Sequence, residues 1–184
     1  NAYLDKWHPI ERFDVLAVEK EVSRQLISPD GEPMDCEILA RLDGLVRDKF
    51  DQDRVYVLEH KTFTSFYPSQ LNRDQQFVAE YWVGQKLAKS LGIKEPLSGV
   101  IYNGIRKTEG KAKKAGSKPG TNLFERHVIL INEHQVEWFL VRACEIYKQI
   151  CSDSFIYPEP NAMRCNFCSF KEPCTELLRG GDYE

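Results

Sequence analysis

Val55-Tyr56-Val57-Leu58-Glu59-His60-Lys61-Thr62 is the stretch around which the rest of the chain can be read. Four apolar residues run directly into Glu59, His60 and Lys61. A strand puts alternate side chains on one face, so Glu59 and Lys61 point one way and His60 the other, into the core. Upstream, Ile38-Leu39-Ala40-Arg41-Leu42-Asp43-Gly44 is a second apolar run that ends in an acid. The polar residues 48–54 between the runs read as a turn. The two runs then form a hairpin that brings Asp43, Glu59 and Lys61 together near one end. Two carboxylates and a lysine there suit a hard divalent cation beside a phosphate. Mg2+ takes oxygen ligands in octahedral geometry and keeps several waters, and the backbone carbonyl of His60 adds one more oxygen. Such an ion polarises a phosphodiester and acidifies a bound water, while Lys61 orients that water or neutralises the growing phosphate charge. On spacing alone a surface Glu–Lys pair with an unrelated turn aspartate is the commoner arrangement; the apolar strands leading into both acids shift the balance toward a site without deciding it.

Working outward, residues 13–26 alternate. Leu16, Val18, Val22 and Leu26 fall on one parity and Glu19, Glu21, Ser23 and Gln25 on the other, which reads as a half-solvated strand. Ser28-Pro29-Asp30-Gly31 is a turn. With strands over 36–48 and 55–62, the first half is an antiparallel meander. Residues 62–70 read as a loop carrying Phe63, Phe66 and Tyr67. A helix follows over 72–91, capped by Asn72 and closed by Gly92, with Phe77, Tyr81, Gly84 and Leu87 at helical spacing. Strands are expected over 97–105 and 124–132. Helix 133–151 carries an apolar stripe of Val136, Phe139, Leu140, Ala143, Ile146 and Ile150. The order gives an α+β domain, a mixed β-sheet with flanking helices, over residues 1–156, and a cysteine-rich tail, 157–184, packed on it.

Net charge is −3 and pI about 5.9, so any nucleic-acid binding must come from a local cluster. One exists: Arg106, Lys107, Lys111, Lys113, Lys114 and Lys118 lie among Gly and Ala with no apolar anchor, a flexible loop able to track a DNA backbone or a plain solvated linker. No apolar run approaches the roughly 20 residues of a membrane span, and no signal-peptide pattern is present, so no membrane partner and a cytoplasmic location are expected. Asn1 is not an initiator methionine, so the chain reads as a trimmed or processed piece. Of six cysteines, Cys165, Cys168 and Cys174 fall within ten residues, a spacing for thiolate metal ligands rather than disulfides. Iron–sulfur, zinc and reduced thiols all remain open on spacing.

Ala40-Arg41-Leu42-Asp43 followed by Glu59-His60-Lys61-Thr62 resembles the PD-(D/E)XK nuclease superfamily, and within it the RecB-like exonuclease branch. That branch carries a Gly-Arg-Ile-Asp-like and an Asp-x-Lys-Thr-like motif, here with Ala for Gly and Glu for Asp. The resemblance implies a restriction-endonuclease-like core and a metal-dependent DNA exonuclease, acting in repair, recombination or phage DNA processing. Asp43 and Glu59 would bind Mg2+ or Mn2+, and Lys61 would assist water attack. The branch also places a Gln and, four residues later, a Tyr on the next helix. Here Gln75, Gln76 and Tyr81 lie on that helix, but Gln76 and Tyr81 are five apart, so the motif is displaced. The cysteine tail is similar to that of branch members in which three C-terminal cysteines and one distant N-terminal cysteine hold a 4Fe–4S cluster; the fourth ligand is not evident here. The implied partner is linear DNA, double- or single-stranded, in a bacterial or phage-infected cell. A non-cleaving DNA-binding subunit of the same fold and a sequence-specific endonuclease are the alternatives.

Overall fold

The computed structural model describes residues 2–107, 123–152 and 165–179. They form an α+β fold in the order α1 (Ala2–Trp7), a 3-10 turn (His8–Ile10), β1 (Phe13–Ile27), β2 (Pro33–Asp48), β3 (Val55–Phe63), α2 (Pro68–Leu71), α3 (Gln75–Ser90), β4 (Leu97–Arg106), β5 (Phe124–Leu130), α4 (Glu133–Cys151) and α5 (Lys171–Leu178). The chain divides into two compact units, Asn1–Ile146 and Tyr147–Glu184. The expected domain boundary at 156/157 lies outside the described residues.

The five strands form one mixed sheet in sequence order. β1–β2, β2–β3 and β4–β5 are antiparallel; β3–β4 is parallel, joined through α3. A parallel pair needs a crossover of a dozen or more residues, and a helix the length of α3 supplies it. α3 lies on one face of the sheet, where Phe77, Val78, Tyr81 and Leu87 pack with Leu45, Val55, Val57 and Val100. Contact is close at Gly84, where a Cβ would come within 2.8 Å of Val57 Cγ2. Opposite, Val46, Tyr56 and Ile101 pack with Phe13 and Leu58. Behind the strand of Glu59, Asn103 is fully buried. Its Nδ2 donates to Tyr3 Oη at 2.7 Å and lies 2.8 Å from His60 Nδ1, while its Oδ1 accepts from Arg126 Nε at 3.1 Å. The Arg126 guanidinium stacks 4.1 Å over the Trp7 ring, which fastens the N-terminal helix to this face.

Three expectations change in detail. The cap of α3 is Asp74, whose carboxylate accepts from the Gln76 N–H at 3.0 Å; Asn72 instead ends α2, a short turn inside the expected loop. β1 does not keep simple alternation. Its register shifts between Val15 and Ala17 and between Gln25 and Ile27, and Glu19 has φ +50°, so Leu26 is buried but Val18 faces solvent. On α4 the stripe runs through Val136, Phe139, Leu140 and Ala143 to the buried Cys144, whereas Ile146 and Ile150 are exposed.

Candidate active site

β2 and β3 pair only from Gly44↔Leu58 to Arg47↔Val55, whereas β3 stays paired with β4 as far as Phe63↔Arg106. Beyond Leu58 the two antiparallel strands therefore part, and Asp43 and Glu59 stand at the fork. The His60 N–H, left without a partner on β2, donates to Asp43 Oδ2 at 2.8 Å. Strand alternation turns Glu59 and Lys61 toward α3. His60 turns to the opposite face, as expected, but is exposed there rather than in the core.

Glu59 is 5% exposed, and its Oε1 accepts from Lys61 Nζ at 2.5 Å and from Gln76 Nε2 at 3.0 Å. Gln76 sits in the first turn of α3, and its Oε1 accepts from Lys61 Nζ at 2.9 Å. Its amide thus spans the acid and the base. Burial pushes the Glu59 carboxyl above its ordinary pKa, with the Asp43 charge adding to the effect and Lys61 opposing it. Burial pulls Lys61 down, but the hydrogen bond and charge of Glu59 outweigh it, and the ammonium is held above its usual value. Lys61 is therefore an ammonium at neutral pH.

One residue of the site escaped the sequence reading. Glu80, one turn after Gln76, is 4% exposed, and its Oε1 accepts from Gln76 Nε2 at 2.5 Å. Burial, with the neighbouring Glu59 charge, raises its pKa to about 7. The only signal in the sequence is its place four residues after Gln76, on the same helical face.

Of the other candidates, Tyr81 is not at the fork. Its hydroxyl donates to the Leu97 carbonyl at 3.1 Å and its ring is in the core, lining a cleft of about 480 Å³ with Ile27, Pro29, Gln85 and Leu140. That cleft is the larger, but it holds neither acid of the fork. A hollow of about 230 Å³ adjoins Lys61, lined among others by Thr62, Ser65, Phe66, Tyr67 and Gln70. Gln75 is exposed on another part of the surface, beside Arg73 and His134. Phe63 is buried, Phe66 stacks on Tyr102, and Tyr67 is 60% exposed at the rim of the hollow. Lys107 is exposed, its N–H held by the Phe63 carbonyl at 2.7 Å; Lys111, Lys113, Lys114 and Lys118 lie outside the described residues. In the second unit, Cys165 and Cys168 flank a turn closed by the Cys168 N–H on the Cys165 carbonyl, and Cys174 is on α5. Among the described residues, no three His, Cys, Asp or Glu side chains are grouped as a ready-made ion cage, and no helix is long and apolar enough to cross a membrane.

No protein-family model matches the chain, and no curated protein matches it. Among solved structures, one described as the crystal structure of SSO0001 aligns at a TM-score of 0.49 and 16% identity, over 94% of this chain and 64% of that one. The chain thus spans less than two thirds of that neighbour's length. A likeness at this level carries no argument about function.

Proposed function

We propose that the chain is a divalent-metal-dependent deoxyribonuclease with a restriction-endonuclease-like core, acting as an exonuclease on linear DNA. The observation that carries this reading is the convergence of Asp43, Glu59, Lys61 and Gln76 where β3 parts from β2. Asp43, Glu59 and the His60 carbonyl would hold Mg2+ or Mn2+; the donor set is all oxygen, which suits these ions. A further oxygen, Glu80 Oε2, is buried there with no hydrogen-bond partner, so the residues present fit a cation. When bound, the ion polarises the phosphodiester and acidifies a water. Lys61, already cationic, neutralises charge on the phosphate oxygens as the bond breaks. Gln76 keeps the lysine and Glu59 at a fixed separation, which leaves less to reorganise during reaction. Exposed Tyr67 beside the hollow next to Lys61 offers a ring for an unpaired base. Lys107, with Lys111, Lys113, Lys114 and Lys118, supplies the basic segment for the DNA backbone that the net charge of −3 otherwise lacks.

The resemblance of the tail extends the proposal to a 4Fe–4S cluster on Cys165, Cys168 and Cys174. The described arrangement of these thiols adds nothing to their spacing, and no chemical step depends on the cluster. Iron found by elemental analysis supports it; one zinc and no iron rules it out.

One observation favours a second reading, a non-cleaving DNA-binding subunit: Tyr81 is turned into the core instead of toward the site. The same assay separates the two. Purified protein is given linear, nicked circular and single-stranded DNA with Mg2+ or Mn2+. Degradation of linear DNA that stops with chelator is the expected result. Binding without cleavage selects the second reading, and degradation that persists in chelator contradicts the metal mechanism.

A further inference from the structure

Glu80 sits where a core residue would ordinarily be apolar, between Ala79 and Tyr81 on the buried part of α3. A buried carboxylate oxygen without a partner is destabilising, more so when charged, and native proteins rarely keep one without a reason. The Glu80 Oε2 is such an atom. The other oxygen, Oε1, shares the Gln76 amide nitrogen with Glu59 Oε1, at 2.5 and 3.0 Å. Two carboxylates on one nitrogen are immediate neighbours, so Glu80 belongs to the fork although it comes from the helix.

Charge points the same way. Asp43, Glu59 and Glu80, with Asp74 at the cap of α3, outnumber the one base, Lys61, among the groups that act on one another here, and this acid excess favours a cation. Among the described residues no ready-made cage of three is present; Asp43 accepts from the His60 N–H and reaches the Glu59 carboxyl, which is also held by Lys61 and Gln76. These are side-chain contacts within the protein, of the kind that binding partners commonly exchange by side-chain rearrangement.

We propose that Glu80 is a third carboxylate ligand of the cation site, its unpartnered Oε2 taking the ion, with the Gln76 amide holding it beside Glu59. The assignment rests on the cation-dependent reading of the Asp43–Glu59 fork. It differs from a purely structural role in which Glu80 only orients Gln76.

The test is a Mn2+ titration followed by the electron paramagnetic resonance signal of unbound Mn2+. It compares wild-type protein with Glu80→Gln, Glu80→Asp and Asp43→Asn. Metal-free melting curves verify folding, and melting with Mn2+ gives a second readout. Glu80→Gln keeps the shape and an acceptor for Gln76, so it should fold; Glu80→Asp keeps the charge but withdraws it by one methylene. Both should bind Mn2+ about 10-fold or more weakly, with a smaller Mn2+-induced melting shift. Wild-type affinity in either folded variant overturns the assignment. DNA cleavage by wild type with unchanged Mn2+ affinity in the Glu80 variants sinks the Glu80 role and leaves the nuclease. Mn2+ binding that needs Glu80 in a protein that cuts no DNA sinks the nuclease and leaves the ligand. A wild-type protein that binds no Mn2+ overturns both.

Discussion

Where β3 leaves β2 beyond Leu58, the amide of His60 takes the carboxylate of Asp43 in place of a strand partner. Asp43 therefore has a structural task as well as the proposed chemical one, and its substitutions should divide the two. Asp43→Asn keeps an acceptor for the amide and should cost little in urea unfolding; Asp43→Ala gives the exposed N–H over to water and should cost about 0.5–1.5 kcal/mol. Equal stability of the two variants would contradict the strand-fork account. Glu80 makes a prediction in pH. Its pKa is raised from 4.5 to about 7, so the folded state holds a proton that the unfolded state gives up. Stability from this group is fully present below about pH 4.5, falls as pH rises toward 7, and is flat above. The loss is on the order of 3 kcal/mol in metal-free protein. Glu59, shifted in the same direction, adds to the trend. Glu80→Gln should flatten the stability curve between pH 4.5 and 7 and leave the variant more stable than wild type at pH 8. A wild-type curve that rises through this window would contradict the buried-acid assignment.

The site depends on how closely α3 approaches the sheet, and Gly84 sets that distance. A methyl group there meets Val57 Cγ2 at 2.8 Å and Leu97 Cδ1 at 3.2 Å, and Val57 is a stiff, fully buried strand residue. Overpacking of this kind costs about 1–3 kcal/mol, against roughly 1 kcal/mol regained from helix propensity. Gly84→Ala should therefore lower the melting temperature and, by pushing α3 outward, reduce cleavage; an unchanged or raised melting temperature would show that the contact is slack. Much at this scale was legible beforehand. Apolar runs punctuated by Ser-Pro-Asp-Gly and by a polar turn marked β1 to β3, and helical spacing marked α3. The cap slipped from Asn72 to Asp74 because both can cap, and only the short turn α2 decides between them. The bulges and left-handed Glu19 of β1 had no signal, since a register shift depends on the partner strand. Glu80 was missed because its neighbours are apolar and its meaning comes only from what α3 faces.

For the molecule as a whole, the sequence order of elements led to an α+β fold, and the five-stranded mixed sheet is what forms. The parallel β3–β4 pairing was not readable from residues 97–105, because an apolar strand carries no direction in its composition; the long helical crossover fixes it. Asp43, Glu59 and Lys61 were legible as a set because a hairpin turns sequence separation into proximity. Tyr81 was not, since one position on a helix is a rotation of 100°, enough to move a side chain from the fork to the core. The proposed cleavage at this fork requires Lys61 to act on the phosphate rather than only to hold Glu59. The most direct test is single-turnover cleavage of linear DNA at saturating Mn2+ by wild type and Lys61→Met, with Mn2+ binding measured on both. Both proteins should bind Mn2+, and the variant should cut about 100-fold or more slowly. Cleavage by Lys61→Met at the wild-type rate would contradict that role of Lys61.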